Sequence, residues 1–421
     1  MHNVSTLKGL LSLCVMLLAF GIMTDAQAVP SFARQTGLNC AACHTAFPQL
    51  TTFGRNFKMQ GYTLTTEDQV KSNGLDIDLG APLSMMIQTT WSKIKKTNDP
   101  AQDDSRFDLP SQLSIFYAGR ISDKLGAFAQ VTYTSEDDHF GMDNTDIRYA
   151  DTTKLGGSDL IWGLSLNNNP TVQDPWNSTP AWGFPWFESG YGYSYPDPMI
   201  ASLGGSVAGG SAYGFWDDHL YTELGVYEAA NTDSRAADGK AIKGAAPYWR
   251  LAYTADLGNM NWEVGTFGMR AKIPTNGFDA GQPLDKLTDA ALDTQLQWVL
   301  GEDTLTLDAN FVHEKQTLDA TAPGIGSQHL NTMKADLTWY THQTWGATIG
   351  YRGAMSSSDA IVYGDGTTGK QNADAWQFQL DYTPWLNSRF ALQYTNYQKL
   401  NGETSGASDN NQLMLGAWFL F

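Results

Sequence analysis

Polarity alternates residue by residue over most of this chain, and that period restricts the fold more than any other feature of the sequence. Trp376, Phe378, Leu380 and Tyr382 alternate with Gln377, Gln379 and Asp381. Leu305, Leu307, Ala309 and Phe311 alternate with Thr306, Asp308 and Asn310, and Leu292, Leu296, Trp298 and Leu300 with Asp293, Gln295 and Gln297. A period of two belongs to an extended strand with one apolar face. About 16 such segments fall near residues 83–94, 112–121, 124–134, 144–151, 159–167, 211–216, 219–228, 247–255, 259–270, 290–301, 303–315, 332–340, 345–355, 374–383, 388–397 and 411–421. Strands of roughly ten residues, even in number and apolar on one side, predict an all-β chain closed into an outer-membrane β-barrel of about 16 strands.

Connection lengths fit the same reading. Short turns such as Ser122-Asp123, Gly301-Glu302 and Asn387-Ser388 contrast with long polar loops at 273–287, 316–329 and 356–373. This is the asymmetry between periplasmic turns and external loops. A soluble β-sandwich would alternate in the same way with its polar face outward. Aromatic residues near the strand ends, including the terminal run Gln412 to Phe421, resemble interfacial girdles and favour the membrane barrel. Charged residues are 17% of the chain, below the quarter or so usual in soluble domains.

The N-terminus sets the compartment. His2 and Lys8 flank an apolar run from Gly9 to Met23, and Ala26-Gln27-Ala28 supplies a small-residue cleavage pattern. Residues 1–28 therefore read as a secretory signal peptide. No later segment offers the ~18 uninterrupted apolar residues of a membrane helix, so strands are the expected way across. The net charge of -18 argues against nucleic acid as a partner and suits an environment that gathers cations. On the polar faces, Asp293, Asp308, Asp336 and Asp381 would form a cation-attracting wall, unless Arg250, Arg270, Arg352 and Arg389 balance them. Acidic residues between Ser135 and Asp138 could greet external cations.

Residues 29–75 have a different texture and form a separate unit ahead of the barrel, residues 76–421. Phe47, Leu50, Phe53 and Phe57 recur at helical spacing, Pro48 suits a first turn, and Gly61 suits a C-terminal cap. Within this unit stands Cys40-Ala41-Ala42-Cys43-His44, the attachment pattern of haem c. Two thiols one helical turn apart reach the two vinyl groups of one porphyrin, and the next residue, His44, offers an imidazole to the iron. A zinc site would require further ligands, and a thioredoxin-like dithiol would require a βαβ setting. Cys14 leaves with the signal, so Cys40 and Cys43 are the thiols of the exported chain. Met59, on the helical segment, is a candidate distal ligand, with packing against the ring as the alternative. His139, a barrel Met or no sixth ligand are further options. Arg34, Arg55 and Lys58 either pair with haem propionates or are solvated surface charge.

The run Ala28-Val29-Pro30-Ser31-Phe32-Ala33-Arg34-Gln35-Thr36-Gly37-Leu38-Asn39-Cys40 through His44 resembles the opening of the fused outer-membrane monohaem c-type cytochrome–porin family, iron oxidases of iron-oxidising bacteria. Phe53-Gly54-Arg55-Asn56-Phe57-Lys58 and Gly61-Tyr62 continue the resemblance. So do Asn168-Asn169-Pro170-Thr171-Val172-Gln173-Asp174-Pro175-Trp176, Ser178-Thr179-Pro180 and Trp182. The resemblance implies a small α-helical monohaem cytochrome c segment that plugs the barrel. It implies one covalent haem on Cys40 and Cys43 with His44 as proximal ligand. It also implies single-electron oxidation of extracellular Fe(II), with a periplasmic c-type cytochrome as acceptor. Two other functions fit the same residues: a diffusion porin or metal-uptake channel with a haem-bearing sensor, and electron export to an external acceptor.

Overall fold

The computed structural model describes residues 30–66, 69–70, 77–78, 82–96, 103–183, 185–187, 191–193, 195–230, 242–274, 281–359, 368–385 and 387–421. The signal segment 1–28 and the unit boundary near residue 75 lie outside the described residues.

A single closed barrel of 16 strands dominates the chain. In order these are β1 (Leu83–Ile94), β2 (Ser105–Ser122), β3 (Leu125–Thr134), β4 (His139–Leu155), β5 (Ser158–Asn167), β6 (Val207–Trp216), β7 (Leu220–Ala229), β8 (Ala246–Asp256), β9 (Met260–Ile273), β10 (Asp285–Leu300), β11 (Asp303–Thr317), β12 (Ser327–Thr341), β13 (Trp345–Ser356), β14 (Ala373–Tyr382), β15 (Ser388–Lys399) and β16 (Gln412–Leu420). Each pairs antiparallel with its neighbours, and β16 closes on β1 with Leu420 opposite Met86 and Gln412 opposite Ile94. Closure satisfies every edge, which a sheet inside lipid requires.

Side-chain orientation settles which face is which. Leu164, Leu224, Leu292 and Leu380 stand exposed on the outer wall, while Arg250, Asp293, Gln295 and Asp381 are buried in the lumen. Apolar-out alternation is that of a membrane barrel. Aromatic pairs flank the apolar band: Trp345 stacks on Tyr382 at 4.3 Å between centroids, and Trp162 meets Tyr149 at 5.8 Å. Several strands run longer than the alternation suggested, β2 and β4 most of all. β2 continues outward through Pro110 because a bulge between Gln88 and Thr90 on β1 takes up the break in pairing. β4 continues past Asp143 across a second irregularity between Ala129 and Val131 of β3.

Two segments fold into the lumen. The first, residues 30–66, carries α1 (Pro30–Thr36), α2 (Cys40–Cys43) and α3 (Thr52–Met59), with a ribbon of His44–Ala46 against Gln49–Leu50 between α2 and α3. The expected helix over Phe47 to Leu50 is therefore corrected. Pro48 sits in the turn of the ribbon, and α3 begins only after Thr51, whose hydroxyl accepts from the Gly54 N–H at 3.1 Å. Gly61 adopts φ of 73° just beyond α3, the left-handed conformation that suits glycine after a helix. The unit is thus a mixture of short helices and ribbon rather than an all-helical domain. The second inward segment is formed by the described residues of the β5–β6 connection between 168 and 206, with its own short α4 (Met199–Ser202).

Both segments are held by the polar lumen wall. Gln49 Nε2 donates to Asp308 Oδ2 at 2.9 Å, and Tyr62 Oη to Asp146 Oδ2 at 2.7 Å. Arg55 donates to Gln297 Oε1 at 2.9 Å and Asn261 Oδ1 at 2.7 Å. From the other segment, Ser178 Oγ donates to Asp293 at 2.5 Å and Trp186 Nε1 to Asp336 at 2.8 Å. The backbone N–H of Ile200 meets Asp289 at 2.8 Å. Of the predicted carboxylates, Asp293, Asp308 and Asp336 thus hold groups of the inward segments, and Asp381 holds Arg389 of the barrel, instead of forming a bare cation-attracting wall. Arg250 lies 2.8 Å from Asp293, and Arg389 lies 2.8 Å from Asp381, whereas Arg270 is exposed.

Candidate functional site

Asn39 starts the single turn of α2, its side chain accepting from the Ala42 N–H at 3.2 Å. That turn places Cys40 and Cys43 on adjacent coils of one short helix, and the His44 N–H closes it by donating to the Cys40 carbonyl. α3 then braces the turn from behind. Thr51 N donates to the Cys43 carbonyl at 2.9 Å, and Thr51 Oγ1 to the Ala42 carbonyl at 2.7 Å. Gly54 faces the same carbonyl so closely that a Cβ would overlap the Cys43 oxygen.

Cys40, Cys43 and His44 all line one cavity of about 550 Å³ inside the barrel, within the ~300–1,000 Å³ of small-molecule and cofactor sites. One wall is the N-terminal segment, with Phe32, Phe57 and Tyr62. Across from it lie the barrel residues Met86, Phe116, Phe128 and Trp418, and at the long-loop end Asp137, His139 and Asp143. The cavity thus runs from the motif towards the outer mouth.

The electrostatics argue against a reactive dithiol. Burial, with Cys40 adding to it, pushes the Cys43 thiol up to about 11. Neither cysteine forms a disulfide. A redox dithiol would hold its thiolate at a depressed pKa. Burial pushes His44 down to about 4, against the nearby carbonyls of Gln49 and Pro48, so its ring is neutral, the form that ligates a metal. His44 Nδ1 is enclosed and makes no hydrogen bond. Phe47 packs against the ring at 4.6 Å. Among the described residues no group of three or more His, Cys, Asp or Glu could hold a metal ion by itself. Two thiols one turn apart, a neutral imidazole beside them and a roomy, largely apolar cavity fit a covalently tethered haem.

Met59 is placed elsewhere. It is buried in a cluster with Ile161, Trp176, Tyr213 and Tyr221, its carbonyl accepts from Tyr213 Oη at 2.5 Å, and it does not line the cavity. There it packs among those residues, and His139, Met86 and Met142 are the alternatives that reach the lining. Arg55 and Lys58 are buried rather than solvated, and their donors are engaged by protein acceptors. Arg34 donates to the Leu83 carbonyl. Sequence reasoning missed the apolar wall of Met86, Phe116, Phe128 and Trp418. A signal was present, because Met86 stands between Ser84 and Gln88 on a face that is otherwise polar from Ser84 to Ser92.

No protein-family model and no curated protein sequence matches the chain. Solved structures do. Salmonella typhi OmpF in complex with daunomycin aligns with a TM-score of 0.51 at 14% identity, covering 84% of this chain and 100% of that one. The outer membrane channel DcaP of Acinetobacter baumannii aligns with a TM-score of 0.50 at 13% identity, covering 84% and 99%. At such identity the likeness concerns the fold, and with the outward apolar band it defines the chain as a 16-stranded outer-membrane barrel of porin architecture.

Proposed function

We propose that this barrel is a single-electron oxidoreductase. In this reading it holds one haem c on Cys40 and Cys43 with His44 on the iron. It oxidises extracellular Fe(II) and reduces a periplasmic c-type cytochrome. One observation carries the reading: both thiols and the neutral imidazole line a single lumenal cavity that extends to acidic residues at the outer mouth. The resemblance of residues 28–62 to the cytochrome–porin family, which includes the same motif, agrees with it.

When bound, haem supplies reversible one-electron chemistry at a potential tuned by its surroundings. The remaining tasks fall to side chains. Cys40 and Cys43 tether, His44 orients, and the apolar wall excludes water and lowers the local dielectric. Asp137 and Asp143 raise the local concentration of a divalent cation. Overall, Fe(II) loses one electron to become Fe(III) and one acceptor haem gains it. No group must accept or donate a proton for that transfer.

A second reading is a diffusion porin or metal-uptake channel, and the barrel fold shared with OmpF and DcaP supports it more directly than it supports redox chemistry. Electron export through the same site is a third. Stopped-flow mixing of purified protein with Fe(II) separates the oxidase from the channel, and a redox titration set against periplasmic cytochromes tests the direction of the current. Rapid reduction of a haem spectrum is the expected result, and a spectrum that stays oxidised rejects the iron-oxidase reading. Ion conductance across a planar bilayer in the same preparation would favour the channel.

A further inference from the structure

We propose that Met86, on the barrel wall, is the second axial ligand of the haem held by Cys40, Cys43 and His44. The proposal rests on the haem reading above and adds the residue that completes the site.

The lumen carries four buried apolar clusters among the described residues, and three of them are covered by inward chain. α4 brings Met199 and Ile200 onto Tyr227, Tyr248 and Phe267. Met59 and Trp176 cover Ile161, Tyr213 and Tyr221. Tyr193 and Tyr195 pack on Tyr397 and Leu400. The fourth contains Met86, Phe116, Trp418 and Leu420, with Phe47 and Phe128 at its edge. Phe187 of the inward loop belongs to this cluster and covers part of it, yet all six of these residues also line the cavity that holds the thiols. An apolar patch in a polar lumen wants an apolar occupant, and the occupant tethered at this cavity is a flat aromatic macrocycle.

Besides His44, the described side chains on the lining with a sulfur or imidazole fit for haem iron are Met86, His139 and Met142. His139 and Met142 are exposed at the outer rim. Met86 is 4% exposed and sits inside the apolar patch. Its sulfur has only a long contact from Gln88 Nε2, at 3.6 Å, which iron would readily replace. Phe47 links the two sides, packing on His44 at 4.6 Å and on Trp418 at 5.8 Å. A wall-borne ligand makes the cofactor a bridge between the N-terminal segment and the barrel.

The test uses the full chain, purified in detergent. Intact mass first reports covalent haem, and a wild-type chain without that mass overturns the functional reading and this proposal together. With haem present, the oxidised protein should show a thioether-to-iron charge-transfer band. Met86→Leu, which conserves volume, should abolish the band and lower the potential. Met86→His should restore a six-coordinate low-spin spectrum without the band, an outcome a purely structural role would not give. A wild-type spectrum lacking the band, or a band that survives Met86→Leu, overturns Met86 as ligand while leaving the haem reading intact.

Discussion

Lys58 and Asp174, 116 residues apart in sequence, meet inside the barrel, where Lys58 Nζ donates to the Asp174 carbonyl oxygen at 2.7 Å. The same ammonium reaches the Val172 carbonyl at 2.8 Å and Asn177 Oδ1 at 3.0 Å, and lies over the Trp182 ring at 4.8 Å. One side chain thus fastens the N-terminal segment to the inward β5–β6 loop. Burial, with Arg148 adding to it, pushes the Lys58 pKa from 10.5 down to about 7. The docked state therefore binds fewer protons than the undocked state between pH 7 and 10.5, and docking should strengthen across that window. Below pH 7 both states are protonated and the dependence should vanish. Hydrogen exchange of the α3 amides, corrected for intrinsic rates, measures it. Lys58→Met should remove the slope and leave acceptors unsatisfied, at roughly 1–3 kcal/mol. Protection that is flat or falls from pH 7 upward in the wild type would contradict the assignment.

Gly54 packs against the backbone of the CxxC turn with no room for a Cβ. Gly126 of β3 does the same against the Gly61 carbonyl. The first contact shapes the motif and the second seats the segment on the wall. Gly54→Ala should therefore distort the turn, costing about 1–3 kcal/mol as overpacking does. Covalent haem measured by intact mass should fall, while the barrel still forms, judged by heat-modifiable gel mobility. Gly126→Ala should leave haem content nearer normal but loosen the segment to protease. Equal haem loss in both would remove the distinction drawn between shaping and seating.

How much of this was legible depends on what each residue faces. All 16 strands could be placed from alternation because lipid outside and a polar lumen inside impose opposite preferences on successive residues. Pro110 hid the outer part of β2, since a bulge that tolerates proline belongs to the partner strand and leaves no mark nearby. Phe47 and Leu50 matched a helical period by coincidence, because four apolar residues cannot distinguish ribbon plus helix from helix alone. Met59 was legible as apolar but not in its direction, which is set by Ile161, Tyr213 and Tyr221, far away in sequence. The 168–206 loop has no period at all. Asp174 organises it by accepting from Trp176 N at 3.1 Å, Ser178 N at 3.0 Å and Thr179 N at 3.2 Å, a local code that alternation cannot reveal.

Arg250 on β8 anchors that loop through a charge cluster. Its guanidinium lies 3.0 Å from Asp174, 3.2 Å from Glu263 and 2.8 Å from Asp293, all fully buried. Removing the guanidinium leaves Asp174, Glu263 and Asp293 without their shared ion-pair partner in the lumen. Arg250→Met should cost about 3–5 kcal/mol, the usual cost of orphaning a buried charge, and release the loop from the wall. Thermal unfolding would read the first effect and planar-bilayer conductance the second, which should rise. Pairing it with Asp293→Asn should recover part of the stability, because the two positions share a network. Strictly additive losses would show that the cluster does not act as a unit.

The outer end of the cavity makes a kinetic prediction. Asp137 and Asp138 lie on the short β3–β4 connection, fixed by Thr134 Oγ1 at 2.8 Å and Tyr133 Oη at 2.9 Å, and Asp137 lines the cavity that leads to His44. A fixed negative pair at the exposed rim concentrates a divalent cation without binding it tightly. If Fe(II) arrives by this route, neutralising both as Asp137→Asn and Asp138→Asn should slow haem reduction about three- to tenfold at low ionic strength, the lower end of such focusing. The gap should close as salt rises past about 0.15 M, where screening acts within ~8 Å. The potential should not move, since neither carboxylate is in the apolar wall around the motif. A salt-independent rate, or a slowed rate with a shifted potential, would place the approach of iron elsewhere.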